Sequence, residues 1–209
     1  MRFRLLALTA VTTLAIAAPF VPSHVTAQAP ASSPFAELHF RDIGPGVTGG
    51  RIHDLAIDPK NPAVLYVGTA GGGIWKSTNK AVTWKDVFGS QPDNSFGALA
   101  IFEKDTNIIW AGSGEQNNRQ SSSWGGGIYR STNGGDTWTY LGLHDTRSIA
   151  RIALDPADAN VAYVAAVGNL WAENPERGVY KTTDAGKTWK KVLYVDPFTG
   201  ATDLVMDPR

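Results

Sequence analysis

The sequence predicts an all-β fold of repeated four-stranded antiparallel units, and three observations predict it. A ten-residue phrase occurs three times, at Trp75–Trp84, Tyr129–Trp138 and Tyr180–Trp189. The closing Trp residues lie 54 and 51 residues apart, a spacing that marks a repeat architecture. Short apolar runs rich in Val, Ile, Tyr and Trp recur in the same order within each period, and long helical periodicity is missing. Four strands per repeat of about 50 residues describe the blade of a β-propeller.

The fullest copy of the phrase, Thr182 to Trp189, reads as a strand, a tight turn and a return strand. Asp184 is expected to fold its carboxylate onto backbone N–H groups one or two residues ahead, and Gly186 to take the positive φ of the turn. Trp189 offers a large ring for burial. Ser131 to Trp138 carries Asn133 at the Asp position and keeps Gly135. Ser77 to Trp84 is a worn copy, with Asn79 for Asp and Ala81 for Gly.

In chain order, residues 1–29 read as a secretory signal peptide. Arg2 and Arg4 precede the apolar run Leu5 to Ala18, and small residues allow cleavage after Ala27 or Ala29. Residues 30–38 form a flexible lead-in. Residues 39–209 make up a partial propeller, with blades at about 51–88, 97–142 and 148–194. Residues 39–44 align with the fourth strand of a blade and residues 203–207 with a first strand. Three open blades leave two apolar faces uncovered, so the expectation is a piece of a longer protein, with assembly of several copies into a ring as the alternative.

The strand two–three loops and the links between blades fall at the end opposite the Asp-containing turns. Repeats two and three carry long insertions there, Gly114 to Gly125 and Gly168 to Arg177. That rim is the expected functional face, because binding groups concentrate on loops over a rigid scaffold.

Composition narrows the function. Lys plus Arg and Asp plus Glu number 19 each, and no basic block of the kind that tracks phosphate backbones is present. There is no Cys, so disulfide and thiol chemistry are excluded. His53 and His144 form no metal-spacing motif, and neither a phosphate loop nor a nucleophile elbow occurs. No cofactor, metal or catalytic residue is assigned.

The repeated phrase is the Asp-box, or BNR repeat. Its structural residues here are Ser77, Asn79, Trp84, Ser131, Asn133, Gly135, Trp138, Thr182, Asp184, Gly186 and Trp189. From about Phe40 to Arg209 the chain also resembles large secreted bacterial proteins with a sortilin-like (VPS10-type) propeller. Gly49-Gly50-Arg51-Ile52, Gly112 to Gly125 and Asn174 to Tyr180 carry that resemblance. It implies export to the cell envelope, as a periplasmic or secreted protein, and a chain longer than this one. Many such proteins are described as glycosyl hydrolase-like. Xyloglucanase-type propellers place a catalytic Asp in a Thr-Asp-x-Gly-Gly phrase. The matching Thr69-Ala70-Gly71-Gly72-Gly73 has Ala70 at that position, so this chemistry is not supported in the segment. Phe40-Arg41-Asp42-Ile43 departs from the opening motif of sialidases. A glycosidase needs two carboxylates at a defined separation, and the spacing of Glu115, Glu173 and Glu176 pairs none of them.

The expected function is recognition of a protein, peptide or glycan through the loop rim. Its candidate residues are Arg51, Glu115, Asn117, Asn118, Arg119, Trp124, Trp171, Glu173, Asn174 and Arg177. Trp124 and Trp171 are expected to stack on a sugar or aromatic group, and Arg119 and Arg177 to pair with carboxylates. The alternatives are a glycoside hydrolase whose acids lie largely outside this segment and a periplasmic folding or assembly factor. The remaining blades of a longer chain are expected partners; nucleic acid and a membrane span after signal cleavage are not. At the inner strands, Asp54, Ala98, Arg151 and Asp203 align, which leaves two expectations for Arg151: an ion-pair network with its acidic neighbours, or a solvated charge in a wet channel.

Overall fold

The computed structural model describes residues 50–207. The expected signal peptide, lead-in and strand 39–44 lie outside them. The described residues form three four-stranded antiparallel sheets, each a blade in consecutive strand order. Blade one contains β1 (Ile52–Ile57), β2 (Leu65–Thr69), β3 (Ile74–Ser77) and β4 (Lys85–Asp86). Blade two contains β5 (Phe96–Ile101), β6 (Ile109–Ser113), β7 (Ile128–Ser131) and β8 (Thr139–Tyr140). Blade three contains β9 (Ile149–Leu154), β10 (Ala162–Ala166), β11 (Gly178–Thr182) and β12 (Lys190–Leu193). Among the described residues the only helical turn is the 3-10 segment His144–Thr146, and no helix is long and apolar enough to cross a membrane.

Alternation along the strands sends side chains to opposite blade faces. The core therefore lies between blades. Ala56, Tyr66 and Ile74 from blade one meet Phe96, Leu99, Ile109, Ala111 and Tyr129 from blade two around Phe88. Ala98, Trp110 and Ile128 then meet Ile149, Ile152, Val164 and Tyr180 of blade three. The face of blade one turned away from blade two stays open, leaving Leu55 and Ile57 exposed. These are propeller blades of an incomplete propeller.

The Asp-box turns are superimposable in their bonding. The hydroxyls of Ser77, Ser131 and Thr182 donate to Oδ1 of Asn79, Asn133 and Asp184 at 3.1, 2.9 and 2.8 Å. Each hydroxyl also accepts the N–H four residues on, at 2.9 Å, from Ala81, Gly135 and Gly186. The Oδ1 atoms accept the N–H of Thr83, Thr137 and Thr188, again at 2.9 Å. The Asx side chain thus reaches four residues ahead, rather than the expected one or two, because the next amide donates to a carbonyl of the strand one–two turn and the hydroxyl holds the one after it. The worn copy keeps this geometry: Lys80 and Ala81 adopt φ 57° and 65° where blade two uses Gly134 and Gly135.

Two further expectations differ. Trp138 and Trp189 are partly buried but Trp84 is exposed. The physical reason is that each box Trp packs against the preceding blade, and no described blade precedes the first. Residues 203–207 form no strand, since a first strand pairs with the second strand of its own blade and the described residues include no such partner. Asp203 nevertheless accepts from Arg151 Nε at 2.9 Å, an ion pair between two exposed side chains. Asp54 instead accepts the N–H of Leu99 at 2.7 Å.

Candidate functional site: the loop rim of blades two and three

The strand two–three loops and the inter-blade links meet at one end of the sheets. Gly73 N–H donates to Asn94 O at 2.8 Å, Gly125 N–H to Arg147 O at 2.8 Å, and Asn174 Nδ2 to Asp145 O at 2.9 Å. The first two bonds tie a loop to the link that follows its blade, and the third ties the blade-three loop to the link that precedes it.

In blade two the loop is a narrow excursion closed by Glu115. Its N–H donates to Ser123 O at 3.0 Å, and its Oε1 accepts the Ser123 N–H at 3.3 Å. Its Oε2 accepts from the Arg51 guanidinium of blade one and lies 3.5 Å from His53 Nε2. Glu115 is only 1% exposed, so this carboxylate is a structural anchor inside the loop and not a group offered to a ligand. At the outer turn, Asn117 O accepts the Ser122 hydroxyl, which in turn accepts the Arg119 N–H at 3.0 Å. The side chains of Asn117, Asn118 and Arg119 face solvent.

Trp124 is the prominent surface of this loop, 51% exposed. Arg147 covers one side of it, with its guanidinium carbon 5.3 Å from the ring centroid. Sequence reasoning did not single out Arg147. Its backbone is at φ 60°, ψ −45°, a region that non-glycine residues occupy only when the surroundings enforce it. Here Gly125 N–H holds the Arg147 carbonyl, and a Cβ on Gly114 would stand 2.0 Å from the same oxygen. Glycine at 114 is therefore what lets the link approach. No local sequence signal reports an arginine in that conformation. The Arg147 guanidinium also lies 3.5 Å from Asp145, which His144 contacts at 3.0 Å. These contacts hold the Asp145 carboxyl below its ordinary range, the His144 bond foremost.

The blade-three loop is built on Arg177. This buried guanidinium donates to Pro197 O at 2.7 Å, to Ala172 O at 3.1 Å, and to Val167 O and Asn169 O. With its donors spent on carbonyls, Arg177 packs the loop and has no fork left for a ligand carboxylate. Asn174 is likewise buried and structural, its Oδ1 accepting the Glu176 N–H at 2.8 Å. The loop presents Trp171, 53% exposed, beside exposed Glu173. Glu176 is engaged by Tyr180 Oη and by Lys191 at 3.1 Å, which depress its pKa, the Tyr180 bond most of all.

The rim so assembled has two exposed indoles on adjacent blades, held by buried polar anchors. Its two loop acids with described partners, Glu115 and Glu176, are committed to internal contacts. Among the described residues no group of three or more His, Asp or Glu side chains is placed to hold a metal ion. Ala70, at the Asp position of the xyloglucanase-type phrase, is buried with its N–H on Arg51 O at 2.9 Å.

No family model matches the chain. Over 106 residues it is 33% identical to the xyloglucanase Xgh74A of Acetivibrio thermocellus, covering 40% of this chain and 12% of that protein. Over 204 residues it is 26% identical to a xyloglucanase of Hypocrea jecorina, covering 83% of this chain and 23% of the relative. The chain thus spans less than a quarter of either protein's length. Among solved structures, an ancestral GH74 enzyme superimposes with a TM-score of 0.56 at 23% identity, over 72% of this chain and 19% of its own. The GH74 enzyme of Niastella koreensis gives 0.51 at 27% identity, over 68% and 21%.

Proposed function

We propose that these three blades are the glycan-binding part of an exported, glycoside hydrolase-like propeller, and that they supply recognition rather than the catalytic acids. The observation that carries this reading is the pair of half-exposed indoles, Trp124 and Trp171, on adjacent strand two–three loops of a fold shared with xyloglucanases. An indole face suits the C–H face of a pyranose, and a glucan chain offers such faces in series. Xyloglucan is the first ligand to try because the chain is similar to enzymes named for it. Export rests on the charged and apolar leader of residues 1–29.

We assign catalysis elsewhere because two of the three loop glutamates are committed to internal contacts, leaving exposed Glu173 alone. Glu115 is anchored by Arg51 and Ser123, Glu176 by Tyr180 and Lys191, and Ala70 has no carboxyl. The test is electrophoresis of the full-length protein in gels containing xyloglucan, with a hydrolysis assay on the same polymer. Retardation by the polymer is expected, as is turnover unaffected by Glu173→Gln or Glu176→Gln. Mobility unchanged by the polymer, or turnover lost in either variant, would overturn the proposal.

A further inference from the structure

His53 Nε2 is one of the buried polar atoms near the rim that make no hydrogen bond. His53 lies on β1 where the pairing with β2 slips by one residue, between Ile52 and Asp54. That bulge turns its ring toward blade two. The side chain is 2% exposed, and Nε2 is buried with no hydrogen-bond partner. The charged groups around it are Arg51 on its own strand's approach, and Glu115 and Arg119 on the blade-two loop. An unpaired buried nitrogen costs free energy, so its presence calls for an explanation.

Its position relative to Trp124 suggests one. Trp124 is held through both chain neighbours. Ser123 is bonded twice to Glu115, and Gly125 is bonded to Arg147 O. Glu115 in turn is fixed by Arg51, whose own carbonyl accepts the Ala70 N–H at 2.9 Å. Hence blade one reaches across the blade boundary to the indole platform through the buried Glu115 carboxylate, and among the described residues His53 is the histidine that faces it.

We infer that Glu115 is the positioning residue of the Trp124 platform, and that His53 makes its clamp acid-releasable. While the imidazole is neutral, the pocket holds Arg51 against Glu115 and the loop stays seated. A proton on Nε2 adds a second cation beside Glu115, on a ring buried with that carboxylate, whereas Arg51 keeps access to solvent. It also brings a donor to the Oε2 that Arg51 occupies. The ring gains hydration only when the loop lifts from β1, and lifting frees Ser123 and Trp124. The direction of the histidine's shift agrees. Burial lowers its pKa below 6.5, with Arg51 and Arg119 adding to that and Glu115 opposing it. A lowered folded-state value gives stability that is complete above the unfolded value and lost as pH falls, the sense that release requires.

This inference rests on the glycan reading only for its consequence, so the test reads the loop and the ligand separately. Hydrogen exchange of the segment 115–125 is followed in the full chain at about pH 7.5 and pH 5.5, corrected for intrinsic rates, with xyloglucan affinity measured alongside. Protection in the wild type is expected to fall several-fold on acidification, because the open loop takes up a proton on His53 that the seated loop resists. His53→Gln removes the proton site and is expected to flatten that change. Glu115→Gln weakens the clamp and is expected to lower protection at both pH values, while β9 and β10 stay protected. Equal pH dependence in the wild type and His53→Gln overturns the acid release, and full protection in Glu115→Gln overturns the positioning role. A loop that responds as described in a chain that binds no xyloglucan at either pH supports the clamp and removes the glycan reading.

Discussion

The indole Nε1 of Trp138 donates to the carbonyl of Val87 at 2.8 Å, across the boundary between blades one and two. Trp189 repeats the bond to Leu141 O at 2.8 Å across the next boundary. The box Trp is thus a rivet to the preceding blade, and Trp84 has no such acceptor among the described residues. Trp138→Phe is expected to destabilise by about 1–2 kcal/mol through the lost bond and contact area. Trp84→Phe should stay within about 0.5 kcal/mol. Urea unfolding of the two variants, compared at equal m, measures the contrast.

Arg177 satisfies four loop carbonyls from inside blade three. Arg177→Met is expected to cost about 3 kcal/mol or more, because buried acceptors each lose about 1–3 kcal/mol when left unpaired. Arg177→Lys should recover little of it, since an ammonium lacks the planar fork that spans these oxygens. The unfolding midpoints of the two variants decide this.

The Asp184 carboxyl titrates near about 2, below its ordinary 3.8, because the Thr188 hydroxyl and N–H and the Thr182 hydroxyl bond its charged form. A depressed carboxyl stabilises the fold above the unfolded value, and that stability disappears as pH falls from about 4 to about 2. Asp184→Asn copies the Asn133 box, whose Oδ1 and Nδ2 reach the Thr137 N–H and hydroxyl at 2.9 Å. The variant is expected to fold normally at neutral pH and to lose less stability across that acid window. Parallel acid titrations followed by circular dichroism give the comparison.

Much of the fold was legible in the sequence, because strand alternation, Asx turns and Trp spacing are local signals that repeat. The site was less so. Trp124 and Trp171 stood out as aromatic residues in polar loops, and they are the exposed surfaces of the rim. Glu115, Asn174 and Arg177 read equally well as ligand-facing groups. Their burial comes from contacts with Arg51, Asp145 and Pro197, which lie 64, 29 and 20 residues away in sequence. His53 and Arg147 carried no motif at all. The first matters because a bulge turns it inward, the second because two glycines hold its backbone at positive φ.

The worn first box supplies a prediction about strain. Ala81 stands at φ 65° where its counterparts are Gly135 and Gly186. Ala81→Gly is expected to stabilise by up to about 1 kcal/mol, the relief of left-handed strain less the entropy of the added glycine. A higher melting temperature with unchanged blade packing is the expected record.

The most direct measurement is calorimetric titration of the chain with a soluble xyloglucan oligosaccharide, alongside Trp124→Ala, Trp171→Ala and the double variant. If the rim is a glycan platform, each single change weakens binding roughly tenfold, or about 1.4 kcal/mol. The double change should abolish measurable binding, with the unfolding midpoint unmoved. Wild-type affinity retained in the double variant, or no heat of binding in the wild type, would contradict it.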